Sequence, residues 1–311
     1  MPEIHSGRRK SAVLANLICV LFWGFSFISI KVAVSVFPPM TLGTVRFAIA
    51  IVLLFVMYRL SPERARQEKG LKQVKEDLPL LICSGLAGVT FYFFGENNGV
   101  ARVTASEASI ITAAIPVLTI TADWIAGKVS AGTSARLGAR HWLGALISMT
   151  GVALVVGVSF SLSGSITGYL YMGGAALCWV AYGLLTRPLF ARGRPRIYVV
   201  FWQNVIGFLG FLPFAALERA HWVMPPLSVI FHVLFLAICC SAMCYSLYAY
   251  SLEVLGISVS AVFLNLVPVV TVVAGFFIMG DRLAPLQWAG AALVVSGVYL
   301  TVLPERTAVT I

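Results

Sequence analysis

The constraint that dominates this chain is a succession of ten apolar runs, each close to the 20 or so residues that a helix needs to cross a hydrocarbon core. They cover 12–34, 39–60, 78–99, 104–124, 140–160, 167–190, 197–217, 227–250, 257–279 and 285–303, punctuated by Pro, Gly or charge. A membrane barrel would alternate apolar and polar residues over segments of about ten, which runs this long exclude. Composition agrees: hydrophobic residues make up 59% of the 311 and charged ones only 11%, too little charge to clothe a soluble domain. The expected fold class is therefore an all-α integral membrane protein with ten transmembrane helices. The first run continues from Ala12 to about Val34 with no small-residue cleavage site, so it is expected to be a span and not a cleaved leader. Cys19, Cys83, Cys178, Cys239, Cys240 and Cys244 all fall inside apolar runs, which argues against a disulfide framework.

The net charge of +10 would point to nucleic acid in a soluble chain, but here the cations sit between the runs and report orientation. With the N-terminus in the cytoplasm, the inner segments carry 16 Lys and Arg and the outer ones only Arg102, Arg219 and Arg282. Lys31, Arg46 and Arg187 lie within spans. Both termini are expected inside, and 59–77, with six basic and four acidic residues, is expected to be a solvated or interfacial connector and not a nucleic-acid patch.

Three blocks recur in the same order. Trp23 to Lys31 matches Trp179 to Arg187, Ile115-Pro116 matches Val267-Pro268, and Trp142-Leu-Gly-Ala with Gly151 matches Trp288-Ala-Gly-Ala with Gly297. The offsets are 156, 152 and 146 residues. Such self-similarity marks duplication, and it divides the chain into 12–160 and 167–303. Each unit holds five spans, an odd number, so the second enters the membrane from the opposite side. Two inverted five-helix repeats are expected, with a central site that can open to either face by alternating access.

These blocks resemble the EamA family of the drug/metabolite transporter superfamily. The likeness runs through Trp23-Gly24, Arg46-Phe47, the run from Ala105 to Pro116, and Gly144 with Gly151. Two departures are that an acid usually Glu after the ninth helix is Asp281, and that Gln203 stands where the second copy would match Arg46. The chain is similar in particular to the family's amino-acid exporters, including those for aromatic amino acids. That resemblance implies export of aromatic or apolar amino acids, the alternative being a proton-coupled exporter of drugs or other metabolites. It also implies a monomer in the bacterial inner membrane that uses no cofactor, has lipid around it and takes a small-molecule substrate.

Residues about ten in from a span boundary are the first suspects for a substrate site. Trp23 and Ser26 share one helix face there, as do Trp179 and Tyr182 in the second copy. The indoles either flank a cavity, where they offer an amphipathic surface to a zwitterion or an aromatic side chain, or fill space between helices. Asn265 either binds substrate or ties two helices together. Pro116 and Pro268 are paired hinge candidates or simple kinks. Glu107 closes a capping-box pattern from Thr104, and otherwise stands with Glu96 as a site for a proton or an amino group. Glu96 has the further option of an ion pair with Arg102. Tyr92, one turn before Glu96, points the same way. Tyr245 and Tyr248 are expected nearer the cytoplasm, placing acid outside and phenols inside. Lys31 and Arg187, close to helix C-termini, read as anchors. Arg46, about two turns below the outer surface, either snorkels or joins a gate.

The rival classes, an intramembrane enzyme and a membrane receptor or scaffold, lack support. His5, His141, His221 and His232 form no His-Glu-x-x-His, so no zinc site of that kind is expected, and no metal is assigned. Ser26 could act as a nucleophile only if His232 reached it. No phosphate-binding loop is present to drive transport with ATP. The mid-span region offers rings, amides and hydroxyls but no Lys or Arg cluster, so a zwitterionic or uncharged metabolite is favoured over a phosphate.

Overall fold

The computed structural model describes residues 2–61, 70–129, 138–157, 165–279 and 284–303, and every regular element among them is helical. In chain order, α1 is Pro2–Ala33 and α2 is Pro39–Leu60. Next, Gly70–Gly85, Leu86–Phe91 and Tyr92–Arg102 run end to end as α3. Then follow α4, Ala105–Thr112, α5, Ile115–Val129, and α6, Ala139–Gly157. The second half opens with α7, Ile166–Ala191, and α8, Arg196–Leu217. Leu227–Phe235, Leu236–Met243 and Cys244–Leu255 form α9. Last come α10, Ile257–Val262, α11, Leu266–Met279, and α12, Pro285–Val302. Among the described residues eight helical stretches are long and apolar enough to cross a membrane, and Ile115–Ala126 and Ala139–Val155 are shorter apolar helices.

Several expected boundaries move. The connector expected over 59–77 gives way to helix from Gly70, in which Gln73 and Asp77 are buried as the helix packs against α8. Asp77 holds Arg192 and Arg194 and accepts from the Tyr198 hydroxyl at 3.3 Å. The fourth run divides between α4 and α5, and the ninth between α10 and α11 across a 3-10 turn at Phe263–Asn265. Both divisions fall just ahead of a proline. Pro116 and Pro268 lack an N–H and so sit at low cost in a first helical turn, where that donor would have no partner. Asp281, Arg282 and most of the 161–166 loop lie outside the described residues.

The outside is apolar, unlike that of a soluble protein. Leu14, Val52, Leu170 and Phe231 stand more than half exposed on the outside, while Asn16, Gln203, Asn204 and Asn265 are fully enclosed. Lipid offers no hydrophobic drive between helices, so small residues that allow close backbone approach hold such a bundle together. The seam between α6 and α12 shows it. A Cβ on Gly151 would stand 2.6 Å from the Gly290 carbonyl oxygen, and one on Gly297 would stand 2.5 Å from that of Gly144. The pairing of 144 with 297 and 151 with 290 makes these two helices antiparallel. The Trp-Gly of α1 works the same way: a Cβ on Gly24 would lie 2.4 Å from Val270 Cγ1 of α11.

Candidate functional site

Two of the long helices carry a π-helical stretch, Leu86–Phe91 in α3 and Leu236–Met243 in α9. Widened turns of this kind leave carbonyls off the regular ladder and occur often at functional sites. Each stretch here takes an aromatic donor from the other half of the chain. Gly88 O accepts from the Tyr245 hydroxyl at 2.6 Å, and Cys240 O accepts from the Trp23 indole N–H at 3.0 Å.

Between these stretches lies a cavity of about 40 Å³. With at least about 10–15 Å³ needed to hold one water, it has room for a few waters and not for a metabolite, so the site is contracted in this conformation. Trp23 and Ser26 of α1, Arg46 of α2, Tyr92 and Glu96 of α3, and Trp179 of α7 line it, with Tyr245 of α9. Thr112 and Ile115 beside the α4–α5 break and Leu264 and Val267 beside the α10–α11 break line the same space. Both proline-associated breaks therefore border the cavity.

Trp179 is the centre of the ring cluster, with Trp23, Tyr92, Tyr182, Tyr245 and Tyr248 all within 6 Å between centroids. The charged groups stand at one side. Glu96 is 4% exposed and accepts from the Tyr92 hydroxyl at 2.7 Å. Arg46 is 1% exposed, donates from Nε to Ser241 Oγ at 2.6 Å, and lies 4.3 Å above the Phe93 ring.

Of the residues singled out from sequence, Trp23, Ser26, Tyr92, Glu96 and Trp179 come together here. Tyr182 stands behind them, its ring against Trp179, where a Cβ on Gly88 would meet it at 2.3 Å. Asn265 does not reach the cavity: its amide donates to Ser148 Oγ at 2.6 Å, tying the α10–α11 break to α6. Glu107 is also elsewhere. It forms the capping box with Thr104, at 2.7 and 3.1 Å, and accepts from the Tyr169 hydroxyl of α7 at 2.7 Å.

Other expectations are corrected. Glu96 makes no ion pair with Arg102, whose guanidinium turns to Asn98 and the Tyr171 ring, because Glu96 faces the interior and Arg102 the outside. Tyr245 and Tyr248 share the ring cluster with Tyr92, so acid and phenols are not separated. Helix α9 continues to Leu255, five residues past its apolar run, which brings Tyr245 nearer its middle. Arg46 does not snorkel, and among the described residues it enters no salt bridge, because its helix face turns onto α9. Lys31 is more than an anchor: its ammonium donates to Val100 O and Val103 O at 2.8 and 2.9 Å, at the end of α3. Arg187 pairs with the buried Asp123 of α5, which also accepts from Ser258 Oγ of α10 at 2.8 Å. His232 meets Ser29 at 3.1 Å, not Ser26.

Sequence reasoning missed Phe27, Phe93 and Tyr245 as lining residues and overlooked Asp123. An acid inside an apolar run was the available signal for Asp123, since such groups are costly and almost always paired.

Comparison with known proteins gives a consistent result. The EamA-like transporter family matches twice, at residues 10–157 and 166–303. An uncharacterized transporter of Archaeoglobus fulgidus is 27% identical, over 94% of this chain and 99% of that one. A "probable terminal-alkyne amino-acid exporter" of Streptantibioticus cattleyicolor is 26% identical, over 94% and 93%. A "probable amino-acid metabolite efflux pump" of Escherichia coli K12 is 26% identical, over 96% of both. A solved crystal structure shares the fold with a TM-score of 0.75 at 19% identity, covering 96% of this chain and 99% of that one.

Proposed function

Because the chain belongs to the EamA-like transporter family, and so is a multi-pass membrane protein that moves small metabolites, we propose that it exports amino acids, aromatic or apolar ones first. The observation that carries this reading is the central cavity, in which rings from both halves surround a small set of polar groups. Rings offer a large amphipathic surface to an apolar side chain. Two relatives named for amino-acid export or efflux support the choice of substrate class.

The mechanism is alternating access by two inverted five-helix repeats, 12–160 and 167–303, with both termini cytoplasmic in a bacterial inner membrane. Support comes from the double family match, the antiparallel α6 and α12, and the reciprocal bonds to the two π-helical stretches. Lys31 and Arg187 occupy equivalent positions at opposite faces. In this conformation Lys31 joins α1 to the end of α3, while Arg187, Asp123 and Ser258 join α7, α5 and α10. Export requires the second cluster to part on the cytoplasmic side, letting substrate in, and to close again before the outer contacts open. The breaks ahead of Pro116 and Pro268 border the cavity and serve as the paired hinges of that motion. The protein works as a monomer.

Proteoliposomes containing the purified protein, preloaded with labelled Phe, Trp, Met or Thr, test the reading with and without a pH gradient. Saturable release of these amino acids above empty liposomes is expected. Failure to carry any of them, together with saturable flux of an organic phosphate or a drug cation, would overturn it.

A further inference from the structure

The charges lining the cavity are unevenly shared. Arg46 and Glu96 both come from the first half, and no Lys, Arg, Asp or Glu of the second half stands among the described lining residues; Gln203, which the sequence matches to Arg46, spends its amide on Ser84 and Thr186. Arg46 is 1% exposed and Glu96 is 4% exposed, yet the two do not bond to each other. The guanidinium has five N–H donors in a fixed fork; Nε is held by Ser241, and the enclosed Nη1 has no partner. An enclosed N–H donor without an acceptor is costly. Such a donor in a cavity wall is suited to an anionic group that arrives with the ligand. Glu96 presents the complement, with one oxygen taken by the Tyr92 hydroxyl and the carboxylate on the same cavity.

On the amino-acid reading above, we propose that Arg46 and Glu96 act as a zwitterion clamp, the guanidinium taking the α-carboxylate of the substrate and the Glu96 carboxylate its α-ammonium. The fixed charges cancel, so a ligand that carries both charges leaves the site neutral and satisfies both groups. An amine lacking the carboxylate leaves Arg46 unmatched and an acid lacking the ammonium leaves Glu96 unmatched, while a phosphate brings excess negative charge beside Glu96. The clamp lies in the first half, and Trp179 and Tyr245 of the second half line the same cavity. The substrate is thereby oriented with its backbone end toward α2 and α3 and its side chain toward α7 and α9. Specificity for the amino-acid head is separated from tolerance toward the side chain.

The test uses three ligands that share one ring: phenylalanine, phenethylamine and 3-phenylpropanoate. Binding to the purified protein is read by thermal shift and by competition against labelled phenylalanine efflux from proteoliposomes. The parent protein is expected to bind phenylalanine at least ~10-fold more tightly than either analogue, the scale of one charge-assisted hydrogen bond. Arg46→Lys should weaken phenylalanine by ~10- to 100-fold and narrow its advantage over phenethylamine. Glu96→Gln should narrow the advantage over 3-phenylpropanoate instead. A parent that binds either analogue as tightly as phenylalanine overturns the clamp without recourse to any variant. Folded variants that keep both preferences, or that lose all three ligands equally, overturn it while amino-acid export stands. If Phe, Trp, Met and Thr all fail with the parent, the clamp and the export reading fall together.

Discussion

Trp23 and Trp179 meet edge to face, their ring centroids 5.4 Å apart and their planes at 90°. These are the matched tryptophans of the two recurring blocks, so the site is built where the halves touch. Their surroundings differ: the Trp23 indole donates to Cys240 O, while Trp179 is packed by five rings.

That difference separates the effects of substitution. Trp23→Phe keeps a ring but loses the bond to Cys240 O, and is expected to cost about 1 kcal/mol of stability. Trp179→Ala removes the centre of the cluster, at about 3–5 kcal/mol, and weakens substrate binding by roughly 5- to 150-fold. Thermal unfolding in detergent and the KM for efflux measure the two quantities. Trp23→Ala and Trp179→Ala proteins that fold and transport with the parent KM would show the cavity assignment to be wrong.

The glycine seam gives a sharper contrast. Gly151→Ala brings a methyl to 2.6 Å from Gly290 O and from Val294 N, and should destabilise by ~1–3 kcal/mol. Gly174→Ala, with nothing within 4 Å, should instead gain up to about 1 kcal/mol from helix propensity. Equal melting temperatures for the two variants would contradict the close approach of α6 and α12.

Arg187 and Asp123 should behave as a coupled pair. Arg187→Met removes the cation paired with a carboxylate whose side chain is 2% exposed. The loss should stay below the ~3–5 kcal/mol of a fully buried pair because Arg187 is itself 26% exposed. The double variant Arg187→Met with Asp123→Asn should recover part of that loss, since the buried charge that Arg187 offsets goes with it. Additive losses in the melting curves would rule out the pairing.

Topology is open to direct labelling. Ala220 is exposed between α8 and α9 and faces the outside in the proposed arrangement. A cysteine at that position should react with a membrane-impermeant maleimide in intact cells well above the parent background. Labelling only after lysis would reverse the orientation.

Much of the architecture is legible in the amino-acid sequence, because it depends on properties a segment carries by itself. Apolar length marks a membrane helix whatever its neighbours are, and the Trp23 and Trp179 blocks announce their equivalence by likeness alone. The capping box at Thr104 and Glu107 is a contact within four residues and is equally readable. Pro116 and Pro268 mark by their missing N–H where two runs are interrupted, although not that the helices divide there.

Which polar residues share the cavity is decided by tertiary structure. Helix α2 is apolar on all sides, so no stripe in its sequence says that Arg46 turns inward to Ser241 and Phe93. Asn265 and Glu96 are equally plausible at the level of sequence, and only packing gives one to Ser148 and the other to the cavity. Asp77, placed by its charge in a connector, becomes a buried helical residue because Arg192, Arg194 and Tyr198 converge on it from a distant part of the chain. Local chemistry determines that a segment is a membrane helix, but its rotation and tilt are set by the helices it packs against, and those alone decide which side chains meet.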